Sequence, residues 1–174
     1  YKQAATPMIT SQYIDGTNTT DLFQVKTRAH GDSTNRSYKI SITDVKFASE
    51  VPNSDYGTFT LSVRDFNDTD KNPVVLESFA GLTLNRMSPN FVSRVIGDQN
   101  ITVDGDGKIT VSGDYPNRSQ YIYLAPATGL NEGGLAKPLV PFGFAKVKEP
   151  TPTAFGTCPT ASLKTTQVDS NGNY

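Results

Sequence analysis

The stretch Gly57-Thr58-Phe59-Thr60-Leu61-Ser62-Val63-Arg64-Asp65 alternates without a break, with Phe59, Leu61 and Val63 on one side and Thr58, Thr60, Ser62 and Arg64 on the other. A period of two is the signature of a β-strand with one face in a core. Burying those three apolar side chains contributes roughly 1.5–3 kcal/mol each before conformational entropy is subtracted. The polar side is expected to face solvent. Asp65 to Pro73 is polar and turn-rich, which predicts an exposed hairpin loop leading into a second strand, Val74 to Phe79.

Working outward, Leu22 to Thr27 places Phe23 and Val25 opposite Gln24 and Lys26, another half-buried strand that His30-Gly31-Asp32 ends. Tyr38, Ile40 and Ile42 share a face, but Val45 and Phe47 are one residue out of phase. A bulge near Thr43-Asp44 keeps both sets inward. Ile101 to Val103 and Lys108 to Val111 flank Asp104-Gly105-Asp106-Gly107, a second hairpin. Gln120 to Leu124 and Leu139 to Val147 are further strands, the last confined to an edge by Pro138 and Pro141. One helix is marked, capped by Ser88, with Pro89 at its first position, the stripe Phe91, Val92, Val95 and Ile96, and Gly97 at its end. Ala127 to Ala136, with three glycines, reads as a surface loop or a short, poor helix. The expected fold is mainly β (α+β), an antiparallel two-layer β-sandwich with a few short flanking helices. Residues 1–21 read as an entry segment laid on the domain or partly mobile, 22–148 as the domain, and 149–174 as an extended exit segment rich in Pro and Thr.

The 174 residues carry 16 Lys plus Arg and 17 Asp plus Glu, a net charge of −1, so no global field draws phosphate backbones or anionic lipid. Neither nucleic acid nor membrane is expected as a partner. Hydrophobic residues make up 36% and charged residues 19%, with 14 Gly and 11 Pro, which fits a folded, loop-rich β protein better than a disordered chain or a helical bundle. Cys158 has no partner for an intrachain disulfide, and one cysteine with one histidine, His30, cannot build a zinc site. No apolar run reaches the roughly 20 residues that span a bilayer. The first residue is Tyr1 rather than Met, read as a processed product or a fragment.

Asp65, Asn67, Asp68 and Asp70 offer oxygens to a hard cation, but the sixth position of the loop is Asp70 rather than Gly and the twelfth is Leu76 rather than Glu. Asp104 and Asp106 serve a tight turn. No Gly-x-Ser-x-Gly elbow accompanies His30, Cys158 lies in the exit segment, and no carboxylate pair is singled out, so no catalytic residue, metal ligand or cofactor is assigned and an enzyme is not expected. Glycosylation sequons at Asn18, Asn35, Asn67, Asn100 and Asn117 fit the abundance of Asn, Ser and Thr. Tyr115, Tyr121 and Tyr123 could stack on sugars, the basis of an alternative reading as a glycan-binding β module of an adhesin-like protein, although packing is their expected job.

Three linked stretches carry more than composition. They are Leu22-Phe23-Gln24-Val25 to Tyr38-Lys39-Ile40-Ser41-Ile42, then Gly57 to Asp65 with Asp68-Thr69-Asp70, then Val75-Leu76-Glu77-Ser78-Phe79 to Ser88-Pro89-Asn90-Phe91-Val92 and Arg94-Val95-Ile96-Gly97-Asp98. In this order they resemble the middle region of contractile tail sheath proteins of tailed bacteriophages, most specifically in the Val-Leu-Glu-x-Phe to Ser-Pro-Asn-Phe unit. Asn85-Arg86-Met87 stands where that family more often has an Asp-Pro pair.

The resemblance implies a structural virion protein, the outer, protruding domain of a sheath subunit that surrounds the tail tube and contracts during genome delivery into a bacterial host. It implies assembly in the host cytoplasm, other sheath subunits as partners through regions outside this chain, and the tail tube and baseplate in the full assembly. Gly57, Phe59, Leu61, Val63, Leu76, Glu77, Phe79, Ser88, Pro89, Asn90 and Phe91 are then structural motif residues, with Glu77 expected to pair within the fold. Without a long apolar patch in the sequence, the chain alone is expected to be a monomer.

Overall fold

A computed structural model describes residues 3–13, 16 and 18–145. The strands are β1 (Ile9–Ser11), β2 (Asp21–Thr27), β3 (Tyr38–Lys46), β4 (Thr58–Asp65), β5 (Val75–Thr83), β6 (Asn100–Val103), β7 (Ile109–Ser112), β8 (Ile122–Pro126) and β9 (Pro141–Phe144). Two short helices, α1 (Gly31–Thr34) and α2 (Val92–Ile96), join them. The fold is mainly β with antiparallel sheets, as expected.

Its two layers are a four-stranded sheet in the order β8-β2-β1-β9 and a three-stranded meander β3-β4-β5. Ile9, Phe23, Val25, Ile122 and Leu124 from the first meet Phe59, Leu61, Val63 and Leu82 from the second, all at most 2% exposed. The rings of Phe23 and Phe59 stack across the layers with centroids 6.2 Å apart. The alternating stretch thus forms the central strand of its sheet, with Ile40 opposite Val63 on one side and Phe79 opposite Leu61 on the other. The bulge also falls where the phase change required it: the β3–β4 register slips between Thr43 and Lys46, and Asp44 adopts φ 51°.

Several expectations are corrected. The leading segment supplies β1, a strand between β2 and β9 with Ile9, Thr10 and Ser11 all buried, so it is part of the sandwich rather than laid upon it. Ser62 and Arg64 point away from the core yet are buried: Ser62 is hydrogen-bonded to Ser78 of β5, and the loop after β4 folds over Arg64 through Asp68 and Asp70. The strand expected from Gln120 starts at Ile122, since Ser119 to Tyr121 are held in a turn by the Ser119 hydroxyl. β9 starts at Pro141, with Leu139 and Val140 buried ahead of it; it is an edge strand, as its prolines require. Val147 and the exit segment 149–174 lie outside the described residues.

The helix is shorter than its sequence pattern. Phe91 keeps an extended backbone (φ −58°, ψ 129°) because residues 90 and 91 bridge to Thr83, whose N–H donates to the Asn90 carbonyl at 3.0 Å. α2 therefore begins at Val92, and Ser88 and Pro89 form the turn that precedes it. Phe91, Val92 and Ile96 are fully buried, and Gly97, at φ 101°, ends the helix in a conformation that favours glycine.

Candidate functional site

The motif residues form one continuous unit built of β4, β5, the turn 85–90 and α2. Gly57 opens it. A Cβ there would stand 2.2 Å from Val140 Cγ1 and 2.4 Å from the Lys46 carbonyl oxygen, so only glycine lets β4 begin where the two layers close. Phe59, Leu61 and Val63 follow in the core. Opposite them on β5, Glu77 pairs with Val63 and Phe79 with Leu61, which turns both side chains inward. Leu76 is 38% exposed, beside exposed Val74 and Val75, because alternation with inward-facing Glu77 puts it on the outer side of β5.

Glu77 pairs within the fold, as expected. Its carboxylate accepts from the Ser119 hydroxyl and from the Gln120 N–H, so β5 of one sheet is tied to the residues leading into β8 of the other. Ser119 is fully buried; its hydroxyl also accepts from the Tyr121 and Ile122 N–H groups at 3.2 and 3.1 Å. Arg28 Nη1 donates to its carbonyl at 2.5 Å. One serine thus gathers β2, β5 and β8.

The second polar centre lies on the outer face of β4. Arg64 Nε and Nη2 donate to the two carboxylate oxygens of Asp68 at 2.7 and 2.8 Å, and Nη1 donates to Asp70 at 2.9 Å. Lys39 bonds both the carbonyl and the carboxylate of Asp68, and the Val74 N–H donates to that carboxylate at 2.7 Å. The Asp68 side chain is completely covered. Hydrogen bonds from Arg64, then Lys39 and the Val74 N–H, outweigh desolvation and hold its carboxyl well below the usual carboxylate range. The acidic loop is thus folded around an arginine: Asp68 and Asp70 spend their oxygens on Arg64. Alternation alone placed Arg64 in solvent; the signal it missed is an acid four residues after the arginine in a turn.

Ser88, Pro89 and Asn90 make a turn, with the Asn90 N–H donating to Ser88 Oγ at 3.2 Å and the Phe91 N–H to the Ser88 carbonyl at 3.2 Å. Phe91 packs edge-on against Tyr115 with centroids 5.8 Å apart, and the Arg94 guanidinium lies 5.6 Å from the Tyr115 ring centre. Tyr121 packs against Tyr38 at 5.1 Å, and Tyr123 is 3% exposed with its hydroxyl donating to Gln3 Oε1 and lying 3.2 Å from Asn100 Oδ1. All three tyrosines have the packing role expected of them.

A cleft of about 460 Å³ separates the base of the β6–β7 ribbon from the loop 127–134, with Lys26, Asp98, Asp114, Asn131 and Glu132 among its lining. Asp98 is tied into the fold there: it accepts from the Tyr115 N–H at 2.7 Å and from Asn131, which accepts from the buried Ser93 hydroxyl at 2.8 Å. Among the described residues every buried side-chain nitrogen or oxygen has a hydrogen-bond partner, and no group of three or more metal-ligating side chains converges. His30 takes part in chain geometry, its Nδ1 accepting from the Asp32 N–H at the start of α1. Cys158 lies outside the described residues. No helix among those residues is long and apolar enough to cross a membrane. No family model matches the chain, and no significant match to a curated protein or a solved structure is found.

Proposed function

We propose that the chain is the outer, protruding domain of a contractile tail sheath subunit of a tailed bacteriophage, a building block whose work is mechanical. The reading starts from the ordered resemblance of residues 22–98, and one structural observation supports it. Gly57, Phe59, Leu61, Val63, Glu77, Phe79, Ser88 and Phe91 each perform a packing or turn-forming job in a single unit that ties the two sheets together. A domain carried on the outside of a contracting particle has to move as a rigid body, and a sandwich cross-braced by the Glu77–Ser119 tie and closed over Arg64 suits that demand. Near-zero net charge suits high local density by avoiding long-range repulsion between neighbours. The glycan-binding alternative starts from Tyr115, Tyr121 and Tyr123, and the rings of these three are engaged in packing. The test is electron microscopy of the sheath polypeptide that contains this chain, expressed alone. Regular tubes are expected; failure to assemble over a range of salt concentrations would overturn the reading.

A further inference from the structure

Two Asp-Gly pairs stand side by side at the tip of the β6–β7 ribbon, Asp104-Gly105 and Asp106-Gly107, and every residue from 101 to 114 is exposed. The turn treats the two glycines differently. Gly107 has φ 78°, a conformation that favours glycine, and its N–H donates to the Asp104 carbonyl at 3.1 Å. Gly105 lies outside the left-handed region, and a Cβ there would meet nothing within 4 Å, so neither backbone nor space demands a glycine. What the missing side chain does is leave the Gly105 nitrogen unshielded, and among the described residues that N–H makes no hydrogen bond.

The two aspartates differ as well. Asp104 Oδ1 accepts from the Asp106 N–H at 3.1 Å and from the Lys108 N–H at 2.8 Å, an Asx turn that bends the side chain back over the Gly105 amide lying between. Among the described residues, no hydrogen bond holds the Asp106 carboxylate. Carboxyl carbon and free nitrogen are thus brought together in the first pair, while the second has an untethered carboxylate and an occupied N–H.

We propose that Asp104 is a self-modifying site, where the folded turn promotes isomerisation of the aspartate to isoaspartate. The Gly105 nitrogen gives up its proton and bonds to Asp104 Cγ, and one carboxyl oxygen leaves as water, closing a succinimide ring. Water then opens the ring. Attack at Cγ restores aspartate; attack at the other carbonyl carbon leaves the chain running through Cβ and Cγ, with the old main-chain carbonyl as a free carboxylate. The water released equals the water consumed, and nothing is oxidised or reduced. The turn contributes by holding the reacting atoms in place.

The product cannot keep this turn. The Asp104 carboxylate and carbonyl, which together receive three N–H groups, exchange places, and the backbone gains a methylene. β6 and β7 pair only with each other, and a lone two-stranded ribbon depends on its turn, so the ribbon should loosen while the sandwich stays closed. None of this depends on the sheath reading, and it would stand if no tubes formed.

The test is to age the intact chain at neutral pH, digest it and locate isoaspartate by fragmentation mass spectrometry. Formation at Asp104 is expected to run several-fold above Asp106 in the folded chain and to match it in urea, where the turn is gone. Gly105→Ala, for which the tip has room, should keep the melting temperature and slow formation at Asp104 several-fold by shielding the nitrogen. Amide hydrogen exchange in residues 100–112 should be faster in the aged chain than in the fresh one, with β4 unchanged. Absence of isoaspartate at Asp104, equal formation at the two aspartates in the folded chain, or a preference that survives in urea would overturn the proposal. So would a Gly105→Ala chain that ages as fast as the parent, or ribbon exchange that ageing leaves unchanged.

Discussion

Arg64 and Asp68, four residues apart, meet in a two-point grip on the outer face of β4, with N–O distances of 2.7 and 2.8 Å and the carboxylate wholly covered. The loop between β4 and β5 is held by this pair in addition to its turn chemistry. Lys39 and the Val74 N–H complete the carboxylate's shell, so the ends of β3, β4 and β5 are joined at one anion.

The pH dependence follows from the sign of the Asp68 shift. Its carboxyl is held below the ordinary range in the folded chain, so the pair's stabilisation is complete above the unfolded value of about 4 and is lost as pH falls through the lower folded value. Asp68→Asn is expected to melt several degrees below the parent at pH 7. Below about pH 4 the parent should fall toward the variant. Thermal melts of both chains from pH 7 to pH 2 check this; a constant gap would contradict it.

Gly57→Ala should be costly without any backbone strain, because its Cβ would meet Val140 Cγ1 and the Lys46 carbonyl oxygen at 2.2 and 2.4 Å. A loss of about 1–3 kcal/mol or more is expected. Adding Val140→Ala removes only one of the two obstacles. Denaturant midpoints of the single and double variants should show partial recovery after allowing for the cost of Val140→Ala alone. Full recovery would mean that the strand shifts freely past Lys46.

Glu77→Ala removes the tie between the sheets and is expected to cost about 1.5–3 kcal/mol, the range for hydrogen bonds to a charged group. Ser119→Ala should cost more, since its hydroxyl also accepts from the Tyr121 and Ile122 N–H groups. In the double variant the losses should fall short of additive, because the two residues share one bond. Strict additivity in equilibrium unfolding would show that the contact carries no coupling.

The parts of the fold legible in the sequence are those where one local rule decides the outcome. Phe59, Leu61 and Val63 obey a period of two in a strand with neighbours on both sides, and Asp104 to Gly107 can hardly be other than a hairpin tip. Where neighbours decide, local rules failed. Ile9-Thr10-Ser11 has a single apolar residue and becomes a strand because β2 and β9 flank it. Ser88-Pro89 has the form of a helix start, but Asn90 and Phe91 are claimed by Thr83 first. Glu77 depends on Ser119 arriving from a distant part of the chain, so its pairing could be foreseen while its partner could not; Asp68 depends on an arginine four residues earlier, a local signal that alternation passes over. Alternation in Ile101 to Val111 announced a face but not that the face would be open.

The central claim, an inert outer block of a contracting sheath, is tested most directly by a cryo-electron microscopy map of the assembled tubes. The sandwich of residues 3–145 is expected to fit density at the outermost radius as a rigid body, with Phe59, Leu61 and Val63 in its core. Density for it at the inner wall facing the tube, or particles with no repeating array of the domain, would contradict the account.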